Sequence, residues 1–414
     1  MGSLHRVQPV KNTSMRQTFI IAAVVISLVG IGAVVYFVFF AGSAEVVVAP
    51  AGGSTLPVAG QTPSPSQGGT TESPSFAPGT PIPVSARLVK VSVGPVVPGA
   101  AVVTKAKNAS SSPETVVSYI ERQSGNVFSY NTLTKTLTRT SNKTLLGIES
   151  AVWLPNASTT FVRYLSGNDF STINTYALPA NGVGGFFLSQ NLADIAVSAT
   201  GLLTLASGVN GSVASLMRID GTRAAALFTT PLSSLRVSFA GKNQYLAFTK
   251  PSATLAGSAF LVDSAGRFSR IAGPLNGLAA LASPLGKWVL VSYTLNGAMQ
   301  MKLVSTATGD SISLPVATIV DKCVWAADDS ALYCGIPVNP SANAAYPNDW
   351  YQGAVSFSDR VWKIQIAGRY ANLVLDFPSE TEEILDAVAL AIDPTGSTLV
   401  FMNKNNGSLW SYSL

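Results

Sequence analysis

Charge is scarce in this sequence: Asp, Glu, Lys and Arg make up 11% of the 414 residues, against roughly 25% in an average soluble domain. Hydrophobic residues make up 47%. This composition can bury a large core, which excludes a disordered or coiled-coil protein. The basic residues are scattered, with no cluster beyond Lys105 and Lys107, so we expect no nucleic-acid binding.

Histidine and cysteine are almost absent. The single histidine is His5, and the two cysteines are Cys323 and Cys334. Without further imidazoles, the chain offers no Ser-His-Asp relay, no His-activated cysteine and no multi-histidine metal centre. A pair of carboxylates of the glycosidase type needs no histidine and stays open, although the sialidase box Ser-x-Asp-x-Gly-x-x-Trp is missing. We therefore expect a protein that is not an enzyme and has no cofactor or metal.

The longest apolar run covers residues 18–41 and contains no charged residue. As a helix it would extend roughly 36 Å, enough for a hydrocarbon core of about 30 Å. The charged residues before the run are all basic, and the first acidic residue, Glu45, follows the run. This asymmetry predicts a cytoplasmic tail at residues 1–17 and an extracytoplasmic remainder. A signal peptide cleaved near residues 41–44 is the alternative, but its apolar region is usually about 7–15 residues long.

Residues 42–84 are rich in Pro, Ser, Gly and Thr and have no periodic apolar face. Such a segment cannot bury a core, and it predicts a disordered linker. In the polyproline conformation 35 of these residues would reach about 110 Å. The segment is either a spacer of required length or a simple tether, and composition does not separate the two. The domain that follows is predicted to cover residues 85–414.

The rest of the sequence repeats with a period near 43. In each repeat an apolar anchor residue is followed by a short polar turn and then by a strand-like run. The anchors are Trp153, Val197, Phe239, Ala282, Trp325 and Ile392, with spacings of 44, 42, 43, 43 and 67 residues. The runs are short and rich in β-branched and aromatic residues, so they indicate strands. About four strands in 40–45 residues is the signature of a β-propeller blade.

Counting blades predicts seven. Residues 99–104, 116–121, 125–130 and 137–140 form a complete blade before the first anchor. After the last anchor only residues 399–402 and 408–413 remain as strands, so the final blade lacks its outer strand. Residues 87–91 have the right length to supply it, and this pairing would close the ring without an open edge.

Two of the turns resemble those of TolB-type and WD-repeat-like propellers, whose blades often carry an apolar-Ser-Pro-Asp-Gly turn. Residues 282–286 read ASPLG and residues 392–396 read IDPTG, whereas residues 239–243 lack the proline. The resemblance covers residues 85–414 and concerns fold, which many functions share. The whole arrangement also resembles membrane-anchored extracytoplasmic bacterial propellers of unassigned function.

Cys323 and Cys334 lie on the first two strands of the sixth blade, on either side of a turn near residues 328–329. Directly opposed strand positions bring Cα atoms close enough for an S–S bond. Because the domain is expected outside the cytoplasm, we predict a structural disulfide. Two free buried thiols are the alternative.

The same blade carries an insertion at residues 337–360, which accounts for the one long spacing between anchors. Its aromatic residues are Tyr346, Trp350, Tyr351 and Phe357. Long loops are often functional, and Trp and Tyr dominate contact surfaces. We therefore expect these four side chains to bind a partner, unless they fold back as a lid on the blade.

Residues 376–386 add a group of acids on the same face of the predicted propeller, including Glu380, Glu382 and Glu383. They could bind a basic partner together with the aromatic residues. The pattern Ser379-x-x-Glu382 is also a helix capping box, which would explain the acids without any ligand.

These observations predict a non-catalytic scaffold or recognition module that is anchored in the membrane through residues 18–41 and binds an envelope protein. Two other functions stay open. One is a propeller that binds or cleaves envelope glycans, which two acids facing each other across a central pocket would favour. The other is a subunit of a secretion or pilus assembly, in which the anchor and linker set the geometry.

Overall fold

The structure is a computed structural model that describes residues 87–105 and 113–414. These residues form seven four-stranded antiparallel sheets. Neighbouring sheets pack against one another around a ring, and the inner strand of the first contacts the inner strand of the last. The fold is a seven-bladed β-propeller, as the repeat predicts. The predicted tail, membrane segment and linker lie outside the described residues.

Each blade runs from an inner strand to an outer strand. The first four blades contain β2–β5 (Ala101–Lys105, Glu114–Ile120, Val127–Asn131, Leu137–Arg139), β6–β9 (Ile148–Trp153, Thr159–Ser166, Thr172–Pro179, Phe186–Phe187), β10–β13 (Leu192–Val197, Leu202–Gly208, Gly211–Met217, Ala225–Thr230) and β14–β17 (Leu235–Phe239, Gln244–Thr249, Ala256–Asp263, Phe268–Asn276). The fifth and sixth contain β18–β21 (Ala279–Ala282, Trp288–Leu295, Ala298–Ser305, Ser311–Ser313) and β22–β25 (Cys323–Trp325, Ala331–Pro337, Asp359–Gln365, Tyr370–Asp376). The seventh contains β26–β28 (Ala387–Ile392, Thr398–Asn403, Leu409–Ser413) and β1 (Leu88–Lys90). A 3₁₀ turn (Val320–Lys322) and two helices, α1 (Asn348–Tyr351) and α2 (Phe377–Glu380), complete the described elements.

The six anchor residues each end an inner strand: β6, β10, β14, β18, β22 and β26. The strand then turns sharply and returns as the second strand of the blade. The sequence period is therefore the distance between equivalent inner-strand ends. The long last spacing corresponds to the insertion between β23 and β24.

The closing strand is confirmed. β1 pairs antiparallel with β28, with Leu88 opposite Tyr412 and Lys90 opposite Trp410. The Arg87 guanidinium donates hydrogen bonds to the Ser413 carbonyl at 2.9 and 3.1 Å. The seventh blade thus obtains its outer strand from the start of the domain, which leaves no unpaired edge on β28.

The strand order defines two faces. The insertion face contains the loops between second and third strands and the loops from each outer strand to the next inner strand. The turn face contains the remaining connections. Arg87 lies beside Ser413 at the turn face, so the chain enters the propeller opposite the insertion.

Apolar side chains fill the space between adjacent blades, as in the cluster of Leu290, Leu303 and Leu332 from blades five and six. Because both surfaces of each blade are covered by neighbours, the strands need little charge, which explains the low charged fraction. No helix within residues 87–105 and 113–414 is long and apolar enough to cross a membrane.

Cys323 and Cys334 face each other in the register of β22 and β23 and form a disulfide with a Cα–Cα distance of 4.1 Å. Cys334 is fully buried. Replacing both cysteines by Ala should lower the free energy of unfolding by about 2–3 kcal/mol, because the bond closes a short loop in the unfolded chain.

Urea denaturation of the oxidised protein and the double variant measures this difference. Reduced wild-type protein is the matched control and should unfold near the midpoint of the variant. An unchanged midpoint in the double variant would show that the bond does not stabilise the blade.

Candidate functional site

The insertion at residues 338–358 folds back onto the propeller. Tyr346, Trp350 and Phe357 are only 3–4% exposed, and the rings of Trp350 and Phe357 stack with centroids 6.1 Å apart. They join a core that includes Val388 and Met402 of the seventh blade. The expectation that these three rings offer a partner surface is therefore corrected: burying large aromatic rings stabilises a long loop more than exposing them would.

A buried ionic cluster, here called the triad, fastens the insertion. It consists of Lys322, Asp359 and Asp386, whose side chains are all fully buried. The Lys322 ammonium lies 2.7 Å from Asp359 Oδ2 and also donates to Asp386 Oδ1. Asp386 Oδ2 accepts hydrogen bonds from Trp350 Nε1 and from the Phe357 backbone N–H, both at 3.0 Å. The triad thus joins the start of β22, the insertion and the start of the seventh blade.

The triad holds two carboxylates against one ammonium. Burial raises the pKa of Asp359 to about 6, although Lys322 lowers it and Asp386 adds to the rise. Asp359 Oδ2 also accepts the Ala387 backbone N–H at 2.6 Å, whereas its buried Oδ1 has no hydrogen-bond partner within the described residues. Asp359 is therefore the weakly compensated member of the triad.

Tyr351 is the one insertion aromatic of the four that keeps substantial exposure, at 40%. Its hydroxyl donates to Asp321 Oδ2 at 2.7 Å. Asp321 also accepts from Arg236 Nη1, at 3.1 Å to Oδ1 and 3.2 Å to Oδ2. Desolvation of the hydroxyl and the Asp321 charge raise the pKa of Tyr351 well above its usual value. Because Arg236 belongs to blade four and Asp321 to blade six, this bridge crosses part of the insertion face.

The acidic segment is arranged differently from a capping box. Ser379 lies inside α2 and donates to the Asp376 carbonyl at 2.7 Å, so it does not cap a helix that reaches Glu382. Glu380 and Glu382 are exposed. Glu383 accepts a hydrogen bond from Lys90 at 2.8 Å. Two of the three predicted acids are therefore available on the insertion face, and the third pairs with the closing strand.

Exposed large apolar side chains are concentrated on the insertion face, at loop tips and strand ends. Every blade contributes at least one. They are Val93, Leu146, Leu165, Phe170, Val209, Leu232, Leu255, Leu295, Val338, Tyr351 and Ile384. The turn face has six in the described part of the chain when loops and strand ends are counted in the same way: Leu133, Leu137, Val183, Ile219, Leu285 and Tyr370.

A channel of about 910 Å³ runs between the inner strands. Arg163, Asp194, Arg236 and Lys250 line it at its insertion-face end, and Asp194 is the single carboxylate among the described lining residues. Both Asp194 oxygens accept backbone N–H groups, from Ile195 at 3.0 Å and from blade four at 2.9 Å. The channel therefore lacks the facing pair of acids that glycoside cleavage would require. No group of three or more His, Cys, Asp or Glu side chains in residues 87–105 and 113–414 is placed to hold a metal ion.

Lys322, Asp359 and the channel arginines are absent from the sequence predictions, and Asp386 is included there only as the last acid of the segment 376–386. A signal exists for two of them: Lys322 and Asp386 directly precede inner strands in a chain with few charges. Arg163 and Asp359 lie within strands and carry no comparable mark, because their partners come from distant parts of the sequence.

Solved structures with similar architecture have low sequence identity to this chain. Hydrazine synthase from Kuenenia stuttgartiensis is 12% identical with a TM-score of 0.51, covering 82% of this chain and 99% of that chain. Oligogalacturonate lyase from Vibrio parahaemolyticus is 8% identical, with a TM-score of 0.48 and coverage of 80% and 98%. TolB from Acinetobacter baumannii is 10% identical, with a TM-score of 0.42 and coverage of 76% and 79%.

No protein-family model and no curated protein matches the sequence. At these identities the structural likeness concerns fold, and it does not extend to activity or ligand. With seven four-stranded blades and a closing strand, the chain has a seven-bladed β-propeller fold.

Proposed function

We propose that this protein is a non-catalytic recognition module that binds a protein partner of the cell envelope through its insertion face. The observation that carries the proposal is the unequal distribution of exposed apolar side chains between the two faces. Isolated exposed leucines are normal, but apolar tips from all seven blades on one face are typical of an interaction surface.

Charge on the same face adds to this argument. Glu380 and Glu382 are exposed near Ile384, which is 66% exposed. Tyr351 presents part of its ring while Asp321 fixes its hydroxyl, so little conformational freedom would be lost on binding. A partner with an apolar surface and adjacent basic groups fits this combination.

The described chain begins on the face opposite the proposed partner surface. Arg87, the first described residue, lies at the turn face, and the proposed membrane anchor at residues 18–41 precedes it in the sequence. Localisation outside the cytoplasm is part of the same proposal.

Site-specific photo-crosslinking in intact membranes tests the partner face. A photoreactive phenylalanine is placed at position 351, 255 or 384 on the insertion face, and at 285 or 219 on the turn face. We expect one defined protein adduct from the insertion-face positions and at least about tenfold less from the turn-face positions, because contact energy is concentrated in few residues. The double substitution Glu380→Lys and Glu382→Lys should lower the adduct yield from the insertion-face positions, because it reverses the charge that a basic partner would meet.

Equal yields from the two faces, or no adduct from any position, would contradict the proposal. The turn-face variants serve as matched controls, since they carry the same reactive group on the same fold. Circular dichroism of each variant confirms that the propeller is intact.

Glycan binding is the second candidate. The half-exposed ring of Tyr351 lies beside the Asp321 carboxylate, and an aromatic ring next to a hydrogen-bond acceptor is a common surface for sugars. In this case the photoreactive group at position 351 should form an adduct with envelope polysaccharide and none with a protein.

A further inference from the structure

The insertion-face end of the channel contains a cation with little direct compensation. Arg163 Nη2 donates to the carbonyls of Leu192 at 2.5 Å and Ala193 at 3.4 Å. Its buried Nε has no hydrogen-bond partner within the described residues. Burial lowers the pKa of Arg163, and the nearby Asp194 charge opposes this. The guanidinium is therefore held by carbonyl groups, without a carboxylate bonded to it.

Arg236 also has N–H groups that can donate hydrogen bonds to a ligand. Its Nη1 donates to Asp321, and the structure gives its other N–H groups no acceptor within the described residues. Three basic residues and two acidic residues surround this end of the channel: Arg163, Arg236 and Lys250, and Asp194 and Asp321. The excess is one positive charge, so a single anionic group would neutralise it. Guanidinium groups match carboxylates in geometry, with two N–H groups able to donate side by side.

Beyond this charged end the channel wall becomes apolar. Phe239, Leu281 and Trp325 line it towards the turn face. A second cavity of about 450 Å³ continues there, and the side chains that line it are uncharged. The two spaces share six lining residues: Val152, Pro155, Pro284, Val324, Trp325 and Leu390. The first space alone, at about 910 Å³, lies within the range of small-molecule sites, about 300–1,000 Å³.

We propose that the channel binds a small monocarboxylate with an apolar body. Its carboxylate faces Arg163 and Arg236 at the insertion-face end, and its apolar part lies against Trp325 towards the turn face. This site adjoins the partner surface of the proposed function, because Arg236 pairs with Asp321 and Asp321 accepts the Tyr351 hydroxyl. Its other residues line the interior of the ring. A positive end with an apolar continuation selects an amphipathic acid over a neutral alcohol and over a polar acid.

Binding of three probes to the full chain in lipid nanodiscs tests the proposal, with empty nanodiscs as the blank. The probes are hexanoate, hexan-1-ol, which lacks the charge, and galacturonate, which has the charge without the apolar chain. Titration calorimetry and ligand-observed NMR should show hexanoate binding at least about tenfold tighter than either of the others, as expected for a charge-assisted hydrogen bond in a sheltered site.

Substitutions locate the site. Arg163→Gln should weaken hexanoate binding about tenfold or more, and Arg163→Lys should recover part of the loss because it restores the charge. Lys250→Gln should cause a smaller loss, since Lys250 is exposed. Arg270→Gln, on the outer strand β17, is the matched control and should leave binding unchanged.

Three results would overturn the proposal: equal binding of hexan-1-ol, equal or tighter binding of galacturonate, or an unchanged affinity in Arg163→Gln. If Arg163→Gln unfolds, the same comparison is made with Lys250→Gln and Arg163→Lys. Photo-crosslinking at the insertion face is measured separately, so failure of the partner proposal and failure of this one are distinguishable.

Discussion

Replacing Lys322 by Met is expected to destabilise the propeller by about 3–5 kcal/mol at neutral pH. The substitution removes the only ammonium of the triad and leaves Asp359 and Asp386 buried without a counter-charge. Breaking a buried ion pair by deleting one partner has this large effect because the remaining charge cannot reach water. Urea denaturation of Lys322→Met and wild type measures the difference. Lys242→Met, at an exposed turn, should stay within about 0.5 kcal/mol of wild type.

Asp359→Asn should behave in the opposite way. The folded-state pKa of Asp359 is raised to about 6 from its ordinary value of 3.8, so the folded protein binds this proton more tightly than the unfolded chain does. Ionised Asp359 therefore opposes folding above about pH 6, and stability should rise as the pH falls from about 6 towards 4. The variant lacks this penalty and should be as stable as wild type, or more stable, at pH 7.5.

Urea denaturation of Asp359→Asn and wild type at several pH values shows whether ionised Asp359 opposes folding or is needed as a partner of Lys322. Between pH 6 and 4 the difference between Asp359→Asn and wild type should shrink, because wild type gains its proton there. If Asp359→Asn is as destabilised as Lys322→Met at pH 7.5, then the ionised Asp359 carboxylate is an essential partner of the Lys322 ammonium. In that case the second negative charge in the triad does not oppose folding.

The blade architecture follows from local features that the sequence shows directly. An inner strand must end at a sharp turn, so Trp153, Val197 and Phe239 recur at nearly constant spacing and each closes a strand. The final blade lacks a strand, and only the segment containing Leu88 has the composition to supply it. These features depend on short stretches of chain, so periodicity was enough to predict them.

The candidate site depends on contacts between distant segments, which periodicity does not contain. Trp350 is of a residue type that is common at contact surfaces. It is buried here because the carboxylate of Asp386 accepts a hydrogen bond from its indole N–H inside the protein. Likewise, Arg236 meets Asp321 from two blades away. Whether an aromatic ring is exposed is decided by such partners, and the sequence shows the residues without showing which of them meet.

Removing the closing strand is the second change with a large expected effect. A chain that begins at residue 92 loses the backbone pairing of β1 with β28 and the burial of Leu88, which is 7% exposed. It also loses the hydrogen bonds from Arg87 to the Ser413 carbonyl. Burial of one leucine contributes about 1.5–3 kcal/mol and each hydrogen bond about 1 kcal/mol, so a loss of about 5 kcal/mol and a fall in Tm of about 10 °C are expected.

The exposed edge of β28 should also change association. An unpaired strand edge is a template for pairing with another chain, so the shortened protein should self-associate where a chain beginning at residue 86 does not. Thermal unfolding and light scattering of these two chains provide the matched comparison. A peptide of residues 86–91 added to the shortened chain should restore the Tm by strand addition, and the same peptide with Leu88→Glu should not. A shortened chain that stays monomeric with an unchanged Tm would show that the ring is held closed by contacts between blades alone, because the pairing of β1 with β28 would then contribute nothing measurable.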